Sequence, residues 1–269
     1  MNRKGMTLIE LLVALTISGI LVAGVYRTFV SQQHTYTVQD QVVDMQQNVR
    51  LAINRMTREL RMAGYGRVGA TFFGGGKMHG IYDHAVNPGG GGNSVTVIGG
   101  YQALTTLSAN ATTGSNTIQV NDASGFDTGS RQYISINGIE SLRIQKITGN
   151  QIDFKVGTTL SEDHLAGEPV FLIMAITYSI GISEGKSALL RDDNLGLGAQ
   201  PVAENIEGLQ FGYFDANGNA TANPDDIRMI QVTLVAMTDK VDPELSKTGD
   251  GYRRRTLTSN IQLRNLLFL

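Results

Sequence analysis

Residues 6–26 read MTLIELLVALTISGILVAGVY, an apolar run of 21 residues whose one charged side chain is Glu10. As a helix it is about 30 Å long, enough to cross the hydrocarbon core of a bilayer. No second run of this kind follows, so a single membrane span is expected over 6–26. Arg3 and Lys4 precede the span, and the next basic residue is Arg27. The positive-inside rule therefore puts the N-terminus in the cytoplasm and the rest of the chain outside, with lipid in contact with the span.

The order of parts around the span is unusual. A secretory signal runs basic, apolar, then a small-residue cleavage site. Here the small residue, Gly5, comes before the apolar run. Cleavage after Gly5 leaves the hydrophobic helix on the mature chain, which then begins at Met6 with Glu10 as its fifth residue. A carboxylate inside a membrane helix costs about 2.5–3.5 kcal/mol at the bilayer centre and less near the interface, so it calls for a partner. The free amine of Met6 is chemically suited. Its own helix sets it about 6 Å along the axis from Glu10, whereas a neighbouring subunit displaced by one step presents its amine directly. Such a pair fixes the register between parallel helices.

Nothing breaks the helix between Met6 and about Ala63, because the first proline is Pro88. Beyond the span, Val42, Met45, Val49, Ile53, Met56, Leu60 and Met62/Ala63 recur at spacings of three and four and form one apolar face. A helix over 6–63 is about 85–90 Å long. Its second half needs a partner surface, expected to be a β-sheet of the same chain. Gly64 and Gly66 stop it. The Gly-rich segment 64–113 reads as a connecting region, with a long loop over Tyr65–Gly100. Residues 114–170 read as a small inserted β-module, with strands at Thr117–Val120, Gln132–Ile136, Glu140–Ile147 and Gln151–Val156 and turns at Asn137-Gly138 and Gly149-Asn150. Residues 171–269 read as a C-terminal β-series. It comprises the pair Val170–Ile180 and Ser187–Arg191, the pair Ile206–Asp215 and Ile227–Met237, and a last strand over Arg254–Asn265.

The N-terminal segment K-G-M-T-L-I-E-L-L-V-A-L, Lys4–Leu15, resembles the class III leader of type IV pilins and type II secretion pseudopilins. The resemblance implies cleavage by a prepilin peptidase after Gly5 as residues 1–5 leave, N-methylation of Met6, and an assembly role for Glu10 through a neighbour's N-terminal amine. Met replaces the commoner Phe at the first mature position. Arg27 stands where many major pilins carry a helix-loosening Pro, while Gly19 matches a Gly at which pilin helices loosen. The C-terminal patterns resemble the PilW type of minor pilin and are shared with J-type pseudopilins. They are L-x-R at Leu189–Arg191, the run Glu204–Asp215, I-R-x-I-x-V-T-L at Ile227–Leu234, and L-R-N at Leu263–Asn265. The implied fold class is α+β, a pilin fold with a long N-terminal helix packed on an antiparallel sheet. The implied partners are a prepilin peptidase, other minor pilins and the major pilin, first in the inner membrane and then in a filament at its tip or base. A J-type pseudopilin of a type II secretion system is the alternative on the same chemistry. A membrane-anchored adhesive or binding protein that never polymerises is the alternative in another class.

Other chemistry is thinly represented. Cysteine is absent, which excludes thiol nucleophiles, thiolate zinc sites and iron–sulfur clusters. The formal charge of −2 gives no basic face for nucleic acid. Gly181-x-x-x-Gly185-Lys186-Ser187 is one residue short of a phosphate-binding loop and reads as a hairpin turn. Asp215, Asn217, Asn219 and Asp226 partly match a calcium loop, with Ala220 where Gly is wanted and Asp in place of the bidentate Glu. A polar hairpin loop is the default reading there. His34, His79, His84 and His164 read as exposed residues without a metal. Arg253–Arg255 reads as a solvated strand end, with surface binding as the minor alternative. No nucleophile–base pair and no carboxylate dyad is visible, so neither an enzyme nor a cofactor is expected.

Overall fold

A computed structural model describes residues 7–66 and 77–266. Met1–Gly5 and Met6 lie outside the described residues, as do Gly74–Gly76. The chain forms two compact units. One contains the helix up to Met45 together with Thr238–Arg253; the other contains Gln46–Met237 and the segment from Arg254 onward.

Helix α1 runs Leu8–Arg61, 54 residues, with no interruption. It ends where Gly64 and Gly66 adopt φ of +81° and +97°, a conformation that only glycine takes cheaply. The apolar stripe read from the sequence is the buried one: Val49, Ile53, Met56 and Leu60 are all buried, joined by Ala52. Met56 and Leu60 are wholly covered, and each contributes about 2–3 kcal/mol of burial.

The helix belongs with antiparallel sheets, as expected. Twelve strands are described: β1 Val86–Pro88, β2 Val95–Thr106, β3 Thr117–Gln119, β4 Tyr133–Ile136, β5 Glu140–Thr148 and β6 Gln151–Phe154. They continue with β7 Pro169–Ser183, β8 Lys186–Asp192, β9 Gln200–Glu204, β10 Ile206–Phe214, β11 Met229–Met237 and β12 Arg254–Gln262. They make two sheets where the sequence suggested one. Nine strands run β1-β2-β7-β4-β5-β6-β3, with β8 on β7 and β9 on β8; β10-β11-β12 form the second sheet. The break falls at Asn205, whose φ of +57° turns the chain between β9 and β10.

The 15-residue strand β7 is the spine of the larger sheet. It pairs with β2 along one edge. Its other edge is divided between β4, at Val170–Leu172, and β8, at Thr177–Ser183. The strands β3–β6 therefore extend this sheet sideways from half of one edge. They enclose a core of their own that includes Ile118, Leu142, Ile144, Ile152 and Phe154 and continues onto Val170 and Leu172 of β7. The ends of this excursion are bonded to each other, Leu107 N–H to Glu168 C=O at 2.9 Å and Gly167 N–H to Leu107 C=O at 2.8 Å.

The reading of Tyr65–Gly100 as loop is corrected. Val95–Gly100 forms the buried first half of β2, a strand central to the sheet. Its glycines are there for close approach: a Cβ on Gly99 would strike the Met62 carbonyl, and one on Gly100 would press on Tyr65 and Phe171. Elsewhere the expected strands and turns recur within a few residues. Asn137 and Gly138 take φ of +52° and +71° between β4 and β5, the geometry of a tight hairpin turn.

Candidate functional site

The start of α1 is closed by reciprocal hydrogen bonds between Thr7 and Glu10. The Thr7 N–H and the Thr7 hydroxyl both donate to Glu10 Oε2, at 2.8 and 2.9 Å, and the Glu10 N–H donates to Thr7 Oγ1 at 3.3 Å. This is a capping box, which satisfies backbone donors that the helix itself leaves open. It also sets the carboxylate at the positive end of the helix dipole. The local partner of Glu10 went unread in the sequence, although T-x-x-E ahead of an apolar run is its signature. Both bonds fall on Oε2, so among the described residues Oε1 keeps its lone pairs for another donor.

From Leu8 to Gln33 every residue of the helix is exposed, including Leu8 at 82% and Leu15 at 74%. Apolar side chains on all sides of a helix need a medium other than water. Over 18 residues its mean hydropathy reaches 2.4, and among the described residues it is the one helix long and apolar enough to cross a membrane.

The first cover on this part of the helix comes at His34, from the connection between β11 and β12. Asp242 is 4% exposed and anchors that connection. It accepts from Arg253 Nη2 at 2.7 Å and Nε at 3.1 Å, and from the Glu244 N–H at 2.9 Å. Its Oδ1 lies 3.4 Å from His34 Nε2. The Lys240 N–H donates to Gln41 Oε1 at 3.3 Å. The Arg253 hydrogen bonds, and after them that from Glu244, hold the Asp242 carboxyl below the usual carboxylate range.

In the larger unit, Glu59 ties the helix to the sheet. Arg191 Nε donates to both of its oxygens at 2.9 and 3.0 Å, and the Tyr178 hydroxyl donates at 2.6 Å. Burial pushes the Tyr178 hydroxyl far up its scale, and the Glu59 charge adds to this. The pattern L-x-R was noted in the sequence, but its partner was not. The signal was an acid set among Arg55, Arg58 and Arg61 beside the buried Leu60.

The other candidates fall as follows. Asp215 turns its carboxylate onto its own loop: Oδ1 accepts from the Asn217 and Asn219 N–H groups at 2.9 and 2.8 Å, and Oδ2 from the Asn219 side chain at 3.3 Å. Asp226 accepts from Asn223 at 2.8 Å. Among the described residues no group of three ligating side chains is placed to hold a metal. The residues of the near-miss phosphate loop make the β7–β8 turn, with Glu184 and Gly185 at φ of +50° and +80°. His164 is not the exposed loop residue expected. It is fully buried, with Nδ1 2.8 Å from Glu168 and Nε2 3.3 Å from Glu140. Two of the three arginines of the basic run are held in ion pairs, Arg253 by Asp242 and Arg254 by Glu207.

The profile of the prokaryotic N-terminal methylation motif matches residues 1–26, so the chain carries a type IV prepilin-like N-terminus. Among solved structures, a type IV-like pilin from Thermus thermophilus is similar over 82% of this chain and 97% of its own, at 13% identity and a TM-score of 0.35. A likeness so remote transfers no residue role. No curated protein matches the sequence.

Proposed function

We propose that the protein is a minor pilin, cut by a prepilin peptidase after Gly5, N-methylated on Met6, and built into a type IV pilus at its tip or base. The observation that carries this reading is the bare apolar helix of Leu8–Gln33 with Glu10 near its start. In the inner membrane, lipid covers that helix; in a filament, neighbouring helices replace lipid. Thr7 holds the carboxylate of the unassembled subunit, and the open Oε1 receives the amine of the next one. The protein acts by packing and not by catalysis, and its partners are the other minor pilins and the major pilin.

The intact mass of the chain from its host is the test. A mass starting at N-methylated Met6 supports the reading; retention of Met1–Gly5 overturns it. Glu10→Ala is expected to insert in the membrane normally and to be poorly incorporated into filaments. A deletion that abolishes protein export and spares piliation would assign the same chemistry to a type II secretion pseudopilus.

A further inference from the structure

We propose that the outer edge of β12 is a strand-addition site that takes up an extended segment of a different filament subunit. The backbone direction along β12 follows from two bonds that bracket it. Thr238 N–H donates to Arg253 C=O, and Leu263 N–H donates to Arg228 C=O, both at 2.9 Å. In an antiparallel pair only alternate residues exchange bonds with the partner strand. The register Met229↔Gln262 to Met237↔Arg254 is unbroken. Residues 255, 257, 259 and 261 therefore face β11, and Thr256, Thr258, Asn260 and Gln262 point their N–H and C=O groups away from it. Among the described residues, nothing accepts from or donates to those outward groups.

An edge of this length is normally blunted, and the other edges of the molecule are. Strands β1 and β3 have three residues each, and β1 ends in Pro88. Strand β9 contains Pro201 and pairs with a register shift. The free side of β10 is met by β8, whose Ser187 hydroxyl donates to Ile206 C=O at 2.6 Å. Strand β12 has nine residues, no proline and no bulge, and from Thr256 to Gln262 no charge. Its β-branched threonines favour a pleated partner. Arg255, exposed and outside any described ion pair, selects a partner with a carboxylate at that end.

A second copy does not fit. Pairing β12 with itself antiparallel reverses the helix segment packed on the sheet, whereas the subunits of one filament share a direction. A two-fold along the strand sets outward residues directly opposite one another, an arrangement a parallel ladder cannot bond. The occupant is therefore another kind of subunit. This inference rests on the filament reading above.

The test uses the full-length chain, in detergent and in filaments, by hydrogen exchange across 254–262. The expected result is slow exchange at Thr256, Thr258, Asn260 and Gln262 in filaments and fast exchange in the free chain. Thr256→Pro removes one outward N–H and no bond to β11, a position where proline is tolerated. It should melt as the wild type and enter filaments about tenfold less, the factor expected for one or two lost hydrogen bonds. The chain has no cysteine, so Thr256→Cys carrying a photo-crosslinker marks one site and names the neighbour. Wild-type chain in filaments with equal exchange in both states overturns the inference and leaves the function standing. A crosslink to a second copy also overturns it. Wild-type chain that never enters filaments overturns the function first, and the inference with it.

Discussion

One helix carries two opposite solutions to the same problem. From Leu8 to Gln33 its apolar side chains face outward on every side; from Val49 to Leu60 all but the exposed Leu51 are gathered on one face and buried. Both halves are unbroken α-helix, so backbone propensity does not separate them. The distribution of charge does. Arg50, Arg55, Arg58 and Arg61 give the second half a wet side, and water then drives the remaining face onto the sheets. The first half has no wet side and waits for an apolar partner outside the chain.

This contrast breaks most sharply in the buried half. Met56→Ala is expected to cost about 3–4 kcal/mol in urea unfolding of the detergent-solubilised chain. Leu15→Ala, in the bare half, is expected to leave that unfolding unchanged within about 0.5 kcal/mol. Similar losses for the two would erase the distinction. Next in size is Arg191→Ala, which leaves the Glu59 carboxylate beside the Tyr178 hydroxyl with only the more exposed Arg55, 3.7 Å away, as a cation. A loss of about 2–3 kcal/mol in the same assay is expected. A smaller effect is expected at the join between bare and covered helix. Asp242 has a depressed pKa, so its grip is complete above the ordinary aspartate range near about 4 and is lost as the pH falls through the lower folded value. The Lys240 amide resonance should report that transition, and Asp242→Asn should remove it. The smallest effect is expected at the far end, where Thr7→Ala should speed exchange of the Leu11 amide, which bonds to the Thr7 carbonyl, by about fivefold.

Both halves of the helix were legible in the sequence, because a period of 3.6 and an uninterrupted apolar run are local signals. The tight turns were legible for the same reason: Asn137-Gly138 declares its own geometry. Gly99 and Gly100 were misread because a glycine admitted for close packing looks the same in sequence as one admitted for a turn. His164 was misread because one of its carboxylates, Glu140 on β5, is brought to it only by folding, while Glu168, four residues on, gave no sign of burial. Glu10 was recognised as needing a partner, and its local one, Thr7, was not read. The two-sheet division turns on Asn205, a single residue with no breaker beside it.

The divided edge of β7 has an evolutionary consequence. Because Leu107 is bonded to Gly167 and Glu168, the sixty residues between them leave and return at one point of the framework. Such a segment can be exchanged, enlarged or trimmed by recombination at that doorway without disturbing α1 or the sheet β10-β11-β12. Variation confined to that segment would leave the helix that commits the chain to its medium as it is.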